Sequence, residues 1–447
     1  MIETQGLTFK YDNRQVLQNI DFRWGNEESI LIWGPNGGGK STFGYILCGV
    51  YEPEAGRIIW DSPPKGHVVM MMQYPSDMFL CQTVEREIAF GLENLGIPRG
   101  EIKRRVHWAL ETFNLERYVS VSPSCLSGGE ESLVALASLV IMYPKHLILD
   151  EPFEHLDWNA RKLLTDAIEE IKSNIGTTTL EFSLQPSSSL SFTKHYYLNK
   201  ELATIDGFPD TYIEPISFPG EGDIICVVDE VSYQYPSRDY PAVAGINIVI
   251  REGEAIGIVG INGAGKSTLG KILSGLLKPQ KGAVRTNGRI AYLFQFPERQ
   301  FFKETILEDV SYGPLKLGMK EPIEQAKNAL RFVGIKDELW GSSPFSLSKG
   351  ILRKVALAAL IATNPRLLVL DEPFAELDFE GKREMARILS RLLSLGKSYI
   401  ILSCDLTQLY GFVNKLILLK GGLITWEGRI KDLPYDQKRL RSMGIVA

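Results

Sequence analysis

The sequence predicts an α/β protein in which one domain is written twice, each copy built on a buried sheet of mainly parallel strands. Three observations predict it. The first is internal repetition: GPNGGGKST at 34–42 returns as GINGAGKST at 260–268, and LILDEPF at 147–153 returns as LVLDEPF at 368–374. The second is the alternation of short β-rich apolar runs with helical stretches, which favours parallel strands covered on both faces. The third is that each glycine-rich phrase lies between an apolar run and a helical one, the strand–turn–helix order of a phosphate-binding loop.

Along the chain, MIETQGLTFKY reads as an alternating strand, without the cationic start and apolar middle of a signal peptide. ESILIWG (28–34) is a buried strand that feeds the first glycine-rich turn and the helix KSTFGYILCGV (40–50). A helical insert is expected over about 80–140, within which LVALASLVIMY (133–143) reads as a buried helix. That run is the longest apolar one and falls short of the ~20 residues that span a bilayer. HLILDE (146–151) is the next buried strand. The second copy repeats the order with EAIGIVG (254–260), KSTLGKILSGL (266–276), a helical insert over about 302–362, and RLLVLDE (366–372). The seam lies in DGFPDTYIEPISFPGEGD (206–223), rich in Gly, Pro and acid. The expected domains are therefore 1–208 and 223–447, with a linker at 209–222.

Composition excludes several classes of function. The 447 residues are 44% hydrophobic and 23% charged, and 54 acidic against 49 basic residues leave a net charge of −5. That balance gives no strongly basic field for nucleic acid. The five cysteines (Cys48, Cys81, Cys125, Cys226 and Cys404) show no CxxC or zinc-like spacing, which fits a reducing compartment without disulfides.

Both glycine-rich phrases obey GxxxxGK[ST], the P-loop pattern. Gly34, Pro35, Asn36, Gly37, Gly38, Gly39, Lys40, Ser41 and Thr42 form the first. Gly260, Ile261, Asn262, Gly263, Ala264, Gly265, Lys266, Ser267 and Thr268 form the second. Glycines allow backbone N–H groups to cradle phosphate oxygens, and the helix N-terminus adds partial positive charge. Lys40 and Lys266 are expected to reach the β/γ-phosphates of ATP, and Ser41 and Ser267 to hold Mg²⁺. The apolar runs end in Asp150-Glu151 and Asp371-Glu372. Each Asp can join the Mg²⁺ shell, and each Glu can orient or deprotonate a water poised against the γ-phosphate.

Two P-loops, the phrases CLSGGEESLVALA (125–137) and FSLSKGILRKVALA (345–358) ahead of the Asp-Glu strands, and Leu156-Asp157 and Leu377-Asp378 after them resemble tandem ATP-binding-cassette ATPases over nearly the whole chain. The resemblance implies two P-loop domains, each a parallel-sheet core with an antiparallel β-rich part and a helical subdomain. It also implies that the signature phrase of one domain caps the nucleotide held by the other. Ser127, Gly128 and Gly129 would face ATP on Lys266, while Ser348 and Gly350 would face ATP on Lys40, with Asp157 and Asp378 nearby. Tyr11 and Tyr235 stand where the family stacks an aromatic on adenine. Gln73 and Gln295 stand where it links Mg²⁺ and the γ-phosphate to the surface that receives membrane helices.

Two departures bear on turnover. Lys349 replaces the glycine found at Gly128, which spoils close approach of backbone amides to a phosphate. Two unequal sites follow: Lys266, Glu372 and LSGGE as the better hydrolase, Lys40, Glu151 and LSKG as the slower. The family also places a histidine after its last core strand, where alignment through KHYYLN (194–199) and KLILLK (415–420) puts Ser183 and Cys404. His155, in the first LD region, is a candidate substitute.

FQFPERQFFKETILEDVSYGPLKLG (294–318), and less closely MQYPSDMFLCQTVEREIAFGLENLG (72–96), which lacks a Gln at Met78, resemble the ATPases of energy-coupling factor transporters. That likeness implies prokaryotic uptake of vitamins or transition-metal ions, at the cytoplasmic face of the membrane. The partners implied are a transmembrane coupling subunit and a small substrate-binding membrane subunit, with Phe79, Phe301 and Phe302 lining the receiving groove. An ATPase of another importer class, such as a sugar importer, shares every catalytic residue and stays open. A soluble cassette acting on ribosomes or DNA is disfavoured by the short linker, which lacks a long charged helix, and by the absence of long heptads or Cys pairs.

Overall fold

The computed structural model describes residues 1–154, 156–186, 189–205, 215–218, 220, 222–236 and 239–433. The chain divides into two compact units, Met1–Thr211 and Tyr212–Ala447. Of the expected linker, residues 209–214, 219 and 221 lie outside the described residues.

The first unit runs β1 (Ile2–Tyr11), β2 (Arg14–Trp24), β3 (Ser29–Trp33), α1 (Lys40–Leu47), β4 (Ala55–Trp60), β5 (Val68–Met71), α2 (Val84–Asn94), α3 (Arg99–Thr112), α4 (Gly128–Val140), β6 (His146–Asp150), α5 (Trp158–Ile175), β7 (Thr178–Ser183), β8 (Lys194–Asn199) and β9 (Glu201–Thr204). β2-β1-β4 form an antiparallel sheet of three strands. The second sheet has the order β5-β6-β7-β3-β8-β9, parallel except for β9. β3 and β6 are buried at every position, which explains their unbroken apolar sequences. One face of this sheet packs α1 and the antiparallel sheet through Ile30, Ile32, Phe43, Ile148 and Phe182. The other packs the helical insert through Leu147, Leu149, Val134 and Leu136.

The second unit repeats the plan with β10 (Ile224–Tyr233), β11 (Val243–Arg251), β12 (Ala255–Val259), α6 (Lys266–Leu273), β13 (Lys281–Thr286), β14 (Ile290–Leu293), α7 (Ile306–Lys316), α8 (Pro322–Phe332), α9 (Lys349–Ala362), β15 (Leu367–Asp371), α10 (Phe379–Ser394), β16 (Ser398–Ser403), β17 (Lys415–Lys420) and β18 (Leu423–Arg429). Its sheets have the orders β11-β10-β13 and β14-β15-β16-β12-β17-β18. The expected class therefore holds in both units: a parallel α/β core, an antiparallel β-rich part and a helical insert. The long apolar run at 133–143 is a buried helix only as far as Val140; Tyr143 turns out to solvent with φ 55°.

Candidate functional site

In each unit the glycine-rich loop joins the C-terminal end of a fully buried strand to a helix that begins at the lysine. Gly39 and Gly265 sit at φ 98° and 104°, and a Cβ there would meet Leu17 Cδ2 at 2.6 Å or the Ala242 carbonyl at 2.1 Å. Only glycine fits such a position. The two lysines close their own loops in the same way. Lys40 Nζ donates to the carbonyls of Gly34 (3.0 Å) and Pro35 (3.1 Å), and Lys266 Nζ to those of Gly260 (2.7 Å) and Ile261 (3.2 Å). Both lysine side chains are buried within glycine-rich loops of the kind that receives a phosphate chain.

Asp150 and Asp371 end β6 and β15, buried at the same edge of the sheet as the loops. The glutamates that follow both occupy the left-handed region, φ 50° for Glu151 and 47° for Glu372. A β-carbon residue held there costs on the order of 1 kcal/mol, a strain characteristic of functional turns. Their carboxylates are held differently. Gln73 Nε2 donates to Glu151 Oε2 at 2.9 Å, and Lys40 Nζ lies 3.8 Å from Glu151 Oε1. Glu372 instead accepts from Cys404 N at 2.6 Å and Ser403 Oγ at 3.1 Å. Burial raises the Glu372 carboxyl above the usual carboxylate range, and Asp371 adds to this against Lys266, Cys404 N–H and Ser403.

The aspartates also differ in their neighbours. Tyr292 of β14 donates its hydroxyl to Asp371 Oδ2 at 2.5 Å, and burial beside that carboxylate keeps the phenol protonated far above its ordinary range. The matched residue on β5 is Met70, since Val68 and Ile290 open the equivalent strand pairs. Sequence reasoning missed Tyr292, although its spacing three residues before Gln295 was readable. It also missed Arg353, a lone cation among buried apolar positions of α9.

The remaining expected residues fall as follows. Tyr235 packs edge-on to Tyr233 and its hydroxyl lies 3.3 Å from Thr268 Oγ1, beside the second loop. Tyr11 is 44% exposed at the end of β1, against Phe9 and Tyr51. Ser127 and Ser348 are the N-cap residues of α4 and α9. Glu130 Oε2 accepts from Ser127 N and Oγ, both at 2.8 Å, whereas the second unit has Ile351 at that position. Asp157 and Asp378 cap α5 and α10, accepting from Ala160 N at 3.0 Å and Gly381 N at 2.8 Å. Lys349 pairs with Glu376 of its own unit at 3.3 Å.

Two expectations are corrected. Ser183 pairs with Trp33 as Ser403 pairs with Val259, so Leu184, not Ser183, matches Cys404. The segment from that strand to the next is one residue shorter in the first unit, and an alignment anchored downstream slipped by that residue. Phe301 is buried in the second core and Phe79 packs against the first, which leaves Phe302, 58% exposed and edge-on to Tyr312, as the surface aromatic. His155 lies outside the described residues.

Comparison with known proteins agrees with this geometry. The chain resembles, at 26% identity over 99% of its length and 94% of the other's, a Caldanaerobacter subterraneus protein provisionally named an ABC transporter ATP-binding protein. It is also 26% identical, over 96% of its length and 91% of the other's, to a Bacillus subtilis protein provisionally named an HMP/thiamine import ATP-binding protein. A solved structure of RNase-L inhibitor shares the fold at TM-score 0.72 and 20% identity, over 98% of this chain and 93% of that one. The ABC transporter family profile matches residues 17–154 and 243–375, a stretch of each unit that carries its P-loop and its Asp-Glu strand. The chain accordingly belongs to the ABC transporter family, as a tandem ATPase that binds and hydrolyses ATP.

Proposed function

We propose that this ATPase is the energy-coupling component of an importer of the energy-coupling factor type, taking up a vitamin or a transition-metal ion through separate membrane subunits. Near-full-length similarity to the B. subtilis thiamine-import relative carries the reading. The wording of residues 294–318, with Phe302 exposed beside Tyr312, supports a docking surface for a coupling subunit's helices. Among the described residues no helix is long and apolar enough to cross a membrane. The proposal places the chain at the cytoplasmic face of the membrane, with domains at 1–208 and 223–447.

Within each unit the loop N–H groups and Lys40 or Lys266 would bind the phosphates, with Tyr11 or Tyr235 against the base. Ser41, Gln73 and Asp150, or Ser267, Gln295 and Asp371, are hard oxygen donors with one carboxylate per set, which suits Mg²⁺ that keeps several waters. Bound there, the ion would neutralise charge on the β/γ-phosphates. Glu372 would orient the attacking water from its place on Cys404 N and Ser403 Oγ. The signature residues Ser127, Gly128 and Gly129, with Ser348 and Gly350, would complete the nucleotide sites as the family resemblance implies.

The test is affinity purification of the tagged chain from detergent-solubilised membranes. Co-purification of a coupling subunit and a small substrate-binding membrane protein, with ATP turnover that depends on them and on Lys266, supports the reading. Recovery with a sugar-type permease and an extracytoplasmic binding protein, or with ribosomes, rejects it.

A further inference from the structure

We propose that Arg353 is a positioning residue of the second unit, a buried cation that fastens the Gln295 loop to the Glu372 loop so that the two move as one body. The inference rests on reading Glu372 as the residue that orients the attacking water. Arg353 projects from α9 and is 3% exposed. Its Nη1 donates to the Glu372 carbonyl at 2.7 Å and its Nη2 to the Gln295 carbonyl at 3.4 Å. A guanidinium has five donors in a rigid fork and no acceptor, so once buried it holds the carbonyls it finds. One of those carbonyls belongs to a residue in the left-handed region, where a small backbone rotation swings the carboxylate off Cys404 N and Ser403 Oγ.

The first unit solves the same linkage in another way. Ser132 stands at the matched position on α4 and turns its hydroxyl onto the Gly128 carbonyl at 2.9 Å. There the glutamine is linked to the glutamate by Gln73 Nε2 on Glu151 Oε2, a bond that engages the carboxylate itself. The second unit makes the link through two backbone carbonyls and leaves the Glu372 carboxylate on Cys404 and Ser403. Arg353 thus couples the two loops without drawing on the carboxylate that must meet water.

The experiment uses the full chain together with the membrane subunits that co-purify with it, and compares native protein with Arg353→Met, which keeps volume and loses every donor, and Arg353→Lys, which keeps the charge on a single ammonium. Turnover, nucleotide affinity measured with a fluorescent ATP analogue, and melting temperature are read together, with Lys266→Met as reference. The expected result for Arg353→Met is a fall in kcat of about tenfold or more with nucleotide affinity within about threefold, the split expected when a reacting group is misplaced while the nucleotide is still held. Arg353→Lys is expected to recover part of kcat. A kcat for Arg353→Met within about twofold of native overturns the proposal, as does a parallel loss of affinity and turnover. If Arg353→Met does not fold, Arg353→Lys decides: native kcat overturns the proposal, and a reduced kcat at native affinity supports it. Turnover that is unaffected by Lys266→Met overturns the reading of the second site itself, and that failure is visible without any change at Arg353.

Discussion

Gln73 Nε2 donates to Glu151 Oε2 at 2.9 Å, while Glu372, its counterpart in the second unit, takes its hydrogen bonds from Cys404 N and Ser403 Oγ. One glutamate is engaged by the glutamine and faces Lys40 at 3.8 Å; the other is held at the C-terminal end of β16. The first arrangement ties the carboxylate to the glutamine and the loop lysine, whereas the second anchors both Glu372 oxygens at the end of β16. Glu372→Gln is expected to lower ATP turnover by about a hundredfold or more, the usual scale for losing a positioned base. Glu151→Gln is expected to lower it by less than about threefold, the outcome expected if the site completed by LSKG is the slower one. Phosphate release measured for the two single variants checks this, and equal losses would contradict it.

The two signature glycines make different demands. A Cβ at Gly128 meets nothing within 4 Å, whereas one at Gly129 comes within 2.6 Å of Ala160 Cβ. Gly128→Lys, which copies Lys349, is expected to fold with an unchanged melting temperature and, on the proposed role of the signature phrase, to lower turnover by its effect on bound nucleotide. Gly129→Ala is expected to cost about 1–2 kcal/mol of stability by overpacking. Paired thermal melts and ATPase assays separate the effects. A Gly128→Lys protein that melts early would show that the glycine serves the fold.

The loops were legible in the sequence because their requirements are local. Gly39 and Gly265 need φ near 100°, and no distant residue decides that. The buried strands were legible for the same reason, since burial on both faces writes an unbroken apolar run. What decides the glutamates was not legible, because Gln73 and Glu151 stand 78 residues apart and nothing in the spacing says which side chain reaches the carboxylate. Phe301 and Phe302 failed for want of a phase: adjacent residues in a short aperiodic stretch point oppositely, one into the core and one outward. Arg353 showed as a charge in an apolar helix, but its acceptors are carbonyls of two distant loops.

Lys349 is tied within its own unit. Its ammonium lies 3.3 Å from Glu376, a nearly buried carboxylate in the left-handed region at φ 59°. α9 has no acidic residue in its first turn, unlike α4 with Glu130 and Glu131, so Glu376 supplies the negative charge that its N-terminus favours. A double-mutant cycle of Lys349→Gly and Glu376→Gln is expected to give a coupling of about 0.5–1 kcal/mol, modest because the lysine is half exposed. Denaturant melts of the four proteins measure it. A coupling indistinguishable from zero would leave Lys349 without a role in holding the helix start.

His146 is expected to make the first unit sensitive to mild acid. It opens β6, is buried against Trp24 at 4.6 Å, and shares a 2.8 Å hydrogen bond between Nδ1 and Thr178 Oγ1. Its Nε2 has no hydrogen-bond partner among the described residues. Burial, more than the nearby N-terminus and Lys145, pushes its pKa down to about 4. The unfolded imidazole takes its proton near pH 6.5. Between these values the unfolded chain binds a proton that the folded unit refuses, so stability is intact above about pH 6.5 and falls as pH drops toward 4. From pH 7.5 to 5 the loss is expected to be about 2 kcal/mol. The matched residue of the second unit is Leu367, and Thr178 keeps a second acceptor in the Lys145 carbonyl at 3.2 Å. His146→Leu is therefore expected to fold and to flatten the pH dependence of the first unit's transition over that interval, measured by calorimetry. An acid loss of undiminished size in the variant would assign the sensitivity to other groups.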